Sequence, residues 1–140
     1  MKDFIGVKIA LLHDNQLVMI QRDNKPGLSF AGMWDFPGGG REGNETPEEC
    51  IIREVEEELA IHLKPEQIIW NKLHPAMINP AQEAHFMVAK ISDNDIANIT
   101  FGDEGQGWRM FDIDEFFSSN NVVEHLKGRL KPFLDSKVQE

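Results

Sequence analysis

The segment that most constrains the fold runs from Thr46 to Ala60, TPEECIIREVEEELA. Thr46 is a good N-cap, Pro47 suits the first helical position, and Glu49 completes a T-x-x-E capping box. Ile51, Ile52, Val55 and Leu59 recur at helical spacing, so one side of the helix is built to face a core. The helix is expected to end near Ala60. Its charge is harder to explain. Glu54, Glu56, Glu57 and Glu58 crowd into less than two turns, and like charges three or four apart repel by roughly 0.2–0.5 kcal/mol per pair.

With Glu54 at zero and about 100° per residue, Glu58 falls near ~40° and Glu57 near ~300°. The apolar stripe centres near ~115°, and Glu56, at ~200°, points elsewhere. Glu54, Glu57 and Glu58 therefore share an edge between core and solvent, with side chains expected to converge. A solvated acidic face is the ordinary reading of such a helix. Here no lysine at i+4 relieves the repulsion, and the nearest cation in sequence is Arg53. A glycine run precedes the helix, where backbone can approach a ligand closely. Carboxylates with a free backbone carbonyl are hard oxygen donors, the kind Mg²⁺ or Mn²⁺ prefers.

The rest of the chain supplies the frame. Phe4 to Leu12 and Gln16 to Arg22 read as strands joined at the turn-forming His13-Asp14-Asn15. Asp23 to Met33 is a loop rich in Gly, Pro, Ser and Asn, and WDFPGGG is a short apolar piece ended by Pro37 and three glycines. Gln67 to Leu73, His85 to Ile91 and Gly107 to Phe111 read as further strands. DIDEFF is a short helical turn, and Asn121 to Val138 a final helix that Pro132 kinks or splits. This order predicts a layered α/β domain without a regular doubly wound sheet. A chain of 140 residues suits a single domain spanning 1–140.

The net charge of −10 argues against a general nucleic-acid-binding face and against anionic membranes. It leaves nucleotides open, because a divalent cation bridges carboxylates to phosphates. Only short apolar runs occur near the N-terminus, so a cytoplasmic protein is expected. Cys50 is the single cysteine and is expected to be a small packed residue.

From Gly39 the chain reads G-x5-E-x7-R-E-V-x-E-E-L-A-I, ending at Ile61. Chance agreement at the seven charged, valine and glycine positions is on the order of one in a million, from residue frequencies of about 6–7%. The stretch GGREGNETPEECIIREVEEELAI resembles the signature box of the Nudix hydrolases, and WDFPGG resembles the lead-in of MutT-type members. Weaker similarity extends to QLVMIQR, DEGQGW and IDEFFSSNN. The resemblance implies an α/β/α sandwich around a mixed β-sheet and metal-dependent hydrolysis of a nucleoside diphosphate linkage. It implies Glu54, Glu57, Glu58 and the Gly38 carbonyl as metal ligands, with Glu104 as a further ligand or a base. It implies that Arg53 pairs with Glu45 to hold the carboxylates. Glu54 is the favoured general base, with Glu104 its rival. Arg22, Arg41, the Gly39 backbone and Asn120 are candidate substrate contacts. Two positions depart from the pattern: Ala60 stands where the box has Gly, and Gly40 where MutT-type members tend to carry Lys.

The expected substrate is a nucleoside or deoxynucleoside triphosphate, cut to monophosphate and pyrophosphate with Mg²⁺ or Mn²⁺. A sugar nucleotide, ADP-ribose, a dinucleoside polyphosphate, or a non-catalytic nucleotide sensor are the alternatives. Base preference and oligomeric state are not legible. GGGREG matches a dinucleotide-binding spelling, but the helix begins too late for it. Asp93-Asn94-Asp95 lacks the glycine of a calcium loop.

Overall fold

The computed structural model describes residues 3–138. Strand β1 (Gly6–His13) turns through Asp14 and Asn15 into β2 (Gln16–Gln21). The two pair antiparallel at Leu12–Leu17 and His13–Gln16. They then diverge, and the WDFPGGG segment fills the fork. β3 (Trp34–Asp35) pairs with the end of β2, and β4 (Gly38–Gly40) pairs with the start of β1. This single segment thereby carries Asp35 and Gly38 to the same opening in the sheet.

Helix α1 (Pro47–Leu59) follows, then β5 (Ile68–Pro75), β6 (Glu83–Lys90), the short α2 (Asp93–Ala97), β7 (Gly107–Asp112), α3 (Ile113–Ser118) and α4 (His125–Val138). The main path through the seven-stranded sheet is β3-β2-β1-β6-β5, with β7 on β2 and β4 on β1. β1 runs parallel to β6 from Gly6–Ala84 to Leu12–Lys90, and the other pairs are antiparallel. The sheet is mixed and flanked by helices, as the sequence implied.

Both faces of the central strands are covered. Alternating side chains divide between two cores. Val7, Ile9, Leu11, Val18, Ile20, Met87 and Ala89 pack against Cys50, Ile51, Val55 and Leu59 of α1. Ala10, Leu12, Leu17, Met19, Phe86 and Val88 pack against Phe116 of α3 and Leu126, Leu130 and Phe133 of α4. Burial on both sides explains why these strands read as continuous apolar runs rather than alternating ones.

The capping box at Thr46 and Glu49 is formed, with both reciprocal bonds present. At the other end Ala60 adopts φ 58° and ψ 26°, and its N–H donates to Glu56 O. This left-handed geometry costs an L-residue roughly 1–2 kcal/mol and glycine almost nothing. Ala60→Gly is therefore expected to stabilise the fold by about 0.5–1 kcal/mol in urea unfolding, despite glycine's larger unfolded-state entropy.

Two expectations change, and one segment left unassigned gains an element. The last helix begins at His125, not Asn121, because Val122 bridges to Trp34 and holds the chain extended. Pro132 lies inside that helix, which runs on to Val138 as one element. Asp93–Asp95 belongs to α2, where Ser92 and Asp95 form a capping box of their own.

Candidate active site

Arg53 organises the acidic end of α1. Its Nε and Nη2 donate to the two oxygens of Glu45 at 2.7 and 2.9 Å. Its Nη1 donates to Glu54 at 2.9 Å and to Glu57 at 3.2 Å, and Nη2 also reaches Gly40 O at 2.9 Å. One planar fork thus ties the helix to the glycine turn. Arg53's donors, with the Glu42 N–H, hold the Glu45 carboxyl down at about 2. The pairing of Arg53 with Glu45 implied by the sequence is present.

At Gly38 and Gly39 the glycine turn is packed so closely against β1 and Glu54 that it leaves no room for side chains. A Cβ on Gly39 would lie 2.6 Å from Glu54 Oε2, and one on Gly38, where φ is 144°, would run into Val7 O. The Gly38 N–H donates to Glu58 Oε1 at 2.8 Å. Glu54 and Glu57 share Arg53 while Glu58 turns towards Gly38. Among the described residues no three acidic, His or Cys side chains are gathered about one point. The three carboxylates border one cleft but do not converge on a centre, whereas helix geometry alone suggested that they would. The reason is that each takes the nearest protein N–H donor.

Burial raises the Glu54 carboxyl above its ordinary range, and burial pushes Glu58 up to about 8. Lys8 opposes the shift at both. A second cation therefore attends the acidic group, where the sequence singled out Arg53 alone. Folding favours protonated Glu58, so this contribution is full below about 4.5 and is lost as pH rises towards about 8. In the presence of a chelator, the urea midpoint of the wild type is expected to fall between pH 5 and 8. Glu58→Gln is expected to flatten that fall, and a millimolar divalent cation to offset it.

Glu104 reaches the site through a loop that docks on the end of α1. Thr100 N–H and Gly102 N–H donate to Leu59 O and Glu58 O, at 3.0 and 2.9 Å, satisfying carbonyls that a helix end leaves open. A Cβ on Gly102 would meet Glu57 O at 2.5 Å, so the approach needs glycine. Beyond Glu104, Gln106 N–H donates to Gln21 O at 2.8 Å, pinning the loop to β2.

Two clefts meet here. The first, about 640 Å³, is lined by Gly38–Gly40, Arg41, Glu42, Glu54, Glu57, Glu58, Asp103 and Glu104. The second, about 300 Å³, is lined on its polar side by Lys8, Arg22, Asp23, Lys25 and Asp35, with Ile20, Leu28 and Phe36 as its apolar wall. Gly38, Glu58 and Glu104 belong to both. Lys8, Asp35 and Asp103 were not anticipated, although a lysine inside the buried run VKIALL and an aspartate inside WDF were visible signals.

Other expected contacts fall differently. Arg22 lies in the second cleft and Gly39 in the first. Arg41 borders the first cleft, but its guanidinium stacks 4.5 Å over the Phe4 ring and its Nε donates to Glu45 O at 2.9 Å. Asn120 is exposed between α3 and α4 and lines neither cleft. Cys50 is buried in the core, with its thiol pushed up to about 12 by burial, which makes it inert. Phe36 stacks on Phe116 at 5.1 Å with one edge on the second cleft. No helix of the described residues is long and apolar enough to cross a membrane.

The NUDIX domain family profile matches residues 3–133. An 8-oxo-dGTP diphosphatase of Proteus vulgaris is 45% identical over 47 residues, 34% of this chain and 40% of that protein. An RNA pyrophosphohydrolase of Hydrogenovibrio crunogenus is 28% identical over 125 residues, 72% of this chain and 74% of that protein. The chain thus spans less than half the length of the first of these relatives. The crystal structure of a MutT protein from Methanosarcina mazei Go1 has a TM-score of 0.72 at 18% identity, covering 99% of this chain and 98% of that one. That likeness is one of fold.

Proposed function

The chain belongs to the Nudix family, and on that premise we propose that it is a pyrophosphohydrolase using Mg²⁺ or Mn²⁺. Its preferred substrate in this reading is a nucleoside or deoxynucleoside triphosphate, split to monophosphate and pyrophosphate, with residues 1–140 acting as one domain. The observation that carries the reading is the junction of an acidic cleft with a cation-bearing one at Gly38, Glu58 and Glu104. A diphosphate needs both characters side by side: carboxylates to take a divalent cation and cations to take phosphate oxygens.

The donor set fits a divalent cation. Glu54, Glu57, Glu58 and Glu104 offer hard carboxylate oxygens on one cleft, and the Gly38 carbonyl is the further ligand expected there. Glu54 and Glu58 are also carboxylates whose ionisation burial opposes, which a bound cation would favour. When bound, the metal supplies charge neutralisation for the phosphate oxygens and acidifies water.

The protein groups do the rest. Glu54, held by Arg53 and raised above the ordinary carboxylate range, accepts the proton of the attacking water. Glu104 is the rival base. Arg53 and Glu45 fix the direction of Glu54 and Glu57. Arg22 takes a phosphate oxygen in the second cleft, and the Gly39 backbone lets the phosphates lie close to Glu54. Arg41 serves as a wall of the first cleft, given its bond to Glu45 O and its stacking on Phe4. Asn120 takes no part in this reading.

Relatives named for 8-oxo-dGTP and for RNA support the chemistry and leave the nucleotide open. The net charge of −10 favours a free nucleotide over RNA. The test is a panel of nucleoside triphosphates, 8-oxo-dGTP, ADP-ribose, a sugar nucleotide, a dinucleoside polyphosphate and short RNA, with and without Mg²⁺, with products identified. Metal-dependent release of pyrophosphate from a triphosphate is expected. Tight binding of one compound with turnover of none overturns the enzymatic reading in favour of a sensor.

A further inference from the structure

Two cations beside the acidic cleft are tied to a single oxygen. Asp35 is only 3% exposed, yet Lys8 Nζ at 2.9 Å and Arg22 Nη1 at 3.1 Å both reach its Oδ2. Phe36 N–H donates to Oδ1 at 2.8 Å, which fixes the carboxylate. The sheet makes this meeting possible. Lys8 stands opposite Gly38 across β1 and β4, and Arg22 follows Gln21, which stands opposite Trp34.

One carboxylate neutralises one cation, so Asp35 alone does not balance Lys8 and Arg22, at the floor of a cleft that also holds Asp23, Lys25, Glu58 and Glu104. Lys8 has donors to spare: its ammonium has three, and two go to Asp35 and to Phe36 O at 3.3 Å. Its side chain is 18% exposed and lines the cleft. Its charge also acts on Glu54 and Glu58 in the neighbouring cleft. The glycine turn on the opposite side offers no free cation, because Gly40 has no side chain and Arg41 is committed to Phe4 and Glu45. An anionic group beside Glu58 must therefore find its protein cation on the Lys8 side.

We propose that Lys8 is a substrate-binding residue: its ammonium, preset with Arg22 on Asp35, takes a phosphate oxygen of the diphosphate next to Glu58. The assignment deepens the pyrophosphohydrolase reading and rests on it. Its rival is a lysine that merely neutralises Asp35.

Charge separates the two roles. Removing a cation that faces phosphate weakens an anion. Removing one that faces Glu54 and Glu58 leaves a bare metal ion bound as well or better, since the repulsion between them is gone. Calorimetry would measure Mn²⁺ alone, and magnesium pyrophosphate, on the wild type and on Lys8→Met. Magnesium pyrophosphate is expected to bind roughly ten- to a hundredfold more weakly, as for loss of one charge-assisted bond. Mn²⁺ alone is expected to bind equally or a few times more tightly. Lys8→Arg should keep pyrophosphate affinity within about a factor of three to five, because it retains the charge. Lys8→Gln serves in the same comparison should the methionine variant not fold. Unchanged pyrophosphate affinity overturns the proposal. So does a parallel loss of both ligands, which marks a structural lysine. A wild type that binds neither ligand overturns the functional reading itself.

Discussion

Glu57→Gln and Glu58→Gln are each expected to lower kcat by two orders of magnitude or more while the chain still folds. Each glutamate contributes one hard oxygen donor to the acidic cleft, and an amide keeps the shape while removing the charge. Metal ions supply several kcal/mol of stabilisation to developing phosphate charge. At about 1.4 kcal/mol per tenfold, losing much of that costs roughly a hundred- to a thousandfold. The folding cost runs the other way. Glu57 is 58% exposed at its side chain, and its bond from Arg53 has surface character. Glu58 is a buried carboxylate raised to about 8, so its amide should make the metal-free protein slightly more stable at pH 8. Turnover with saturating Mg²⁺, with calorimetric Mn²⁺ binding and urea unfolding alongside, checks the prediction. A variant with near-normal turnover would remove that glutamate from the metal site.

Arg53→Ala should damage both fold and activity. Five hydrogen bonds to Glu45, Glu54, Glu57 and Gly40 leave with the guanidinium. The loss of a shared, partly buried charge partner costs roughly 2–3 kcal/mol, or about 5–10 °C in Tm for a chain of this size. Glu45 then returns to the ordinary carboxylate range, since Arg53 is the main cause of its low value. A depressed carboxylate stabilises above about 4.5 and loses that contribution as pH falls towards 2. The wild type should therefore outlast the variant by a wider margin at pH 7 than at pH 2.5. Turnover is expected to drop at least a hundredfold, because Glu54 and Glu57 lose the donor that aims them. Arg53→Lys should recover little, since one ammonium cannot span both Glu45 oxygens and Gly40 O. Recovery of most activity by lysine would show that charge alone suffices there.

The parts of this molecule that were legible in its sequence are those set by local chemistry. Thr46, Pro47 and Glu49 form their cap from within one turn. The His13–Asn15 turn joins β1 and β2 because Asp14 tolerates φ 51°. The pairing of Arg53 with Glu45 was legible only through the family resemblance, and the structure forms it. The misread start of α4 shows the limit. Residues 121–124 run into the helix without a Gly or Pro breaker, but a bridge from Val122 to Trp34 on a distant strand holds them extended.

Side-chain direction across elements was beyond local reasoning. Arg41 looked free to meet phosphate and instead stacks on Phe4, which comes from a segment 37 positions earlier by numbering. Lys8 was assigned no role from the sequence. It faces Asp35 only because β3 and β4 fill the fork between β1 and β2.

By itself, then, the sequence determined which acidic groups crowd one helix edge, how that helix begins, and where glycine must sit beside it. Those features depend on neighbours within a few residues, whose geometry the backbone dictates. The tertiary structure alone decided that Lys8 attends the carboxylates beside Arg53, how the Glu104 loop reaches them, and that an acidic cleft and a cation-bearing one share a wall. Those depend on which strand lies beside which, and that is settled by burying both faces of the sheet at once rather than by any single segment.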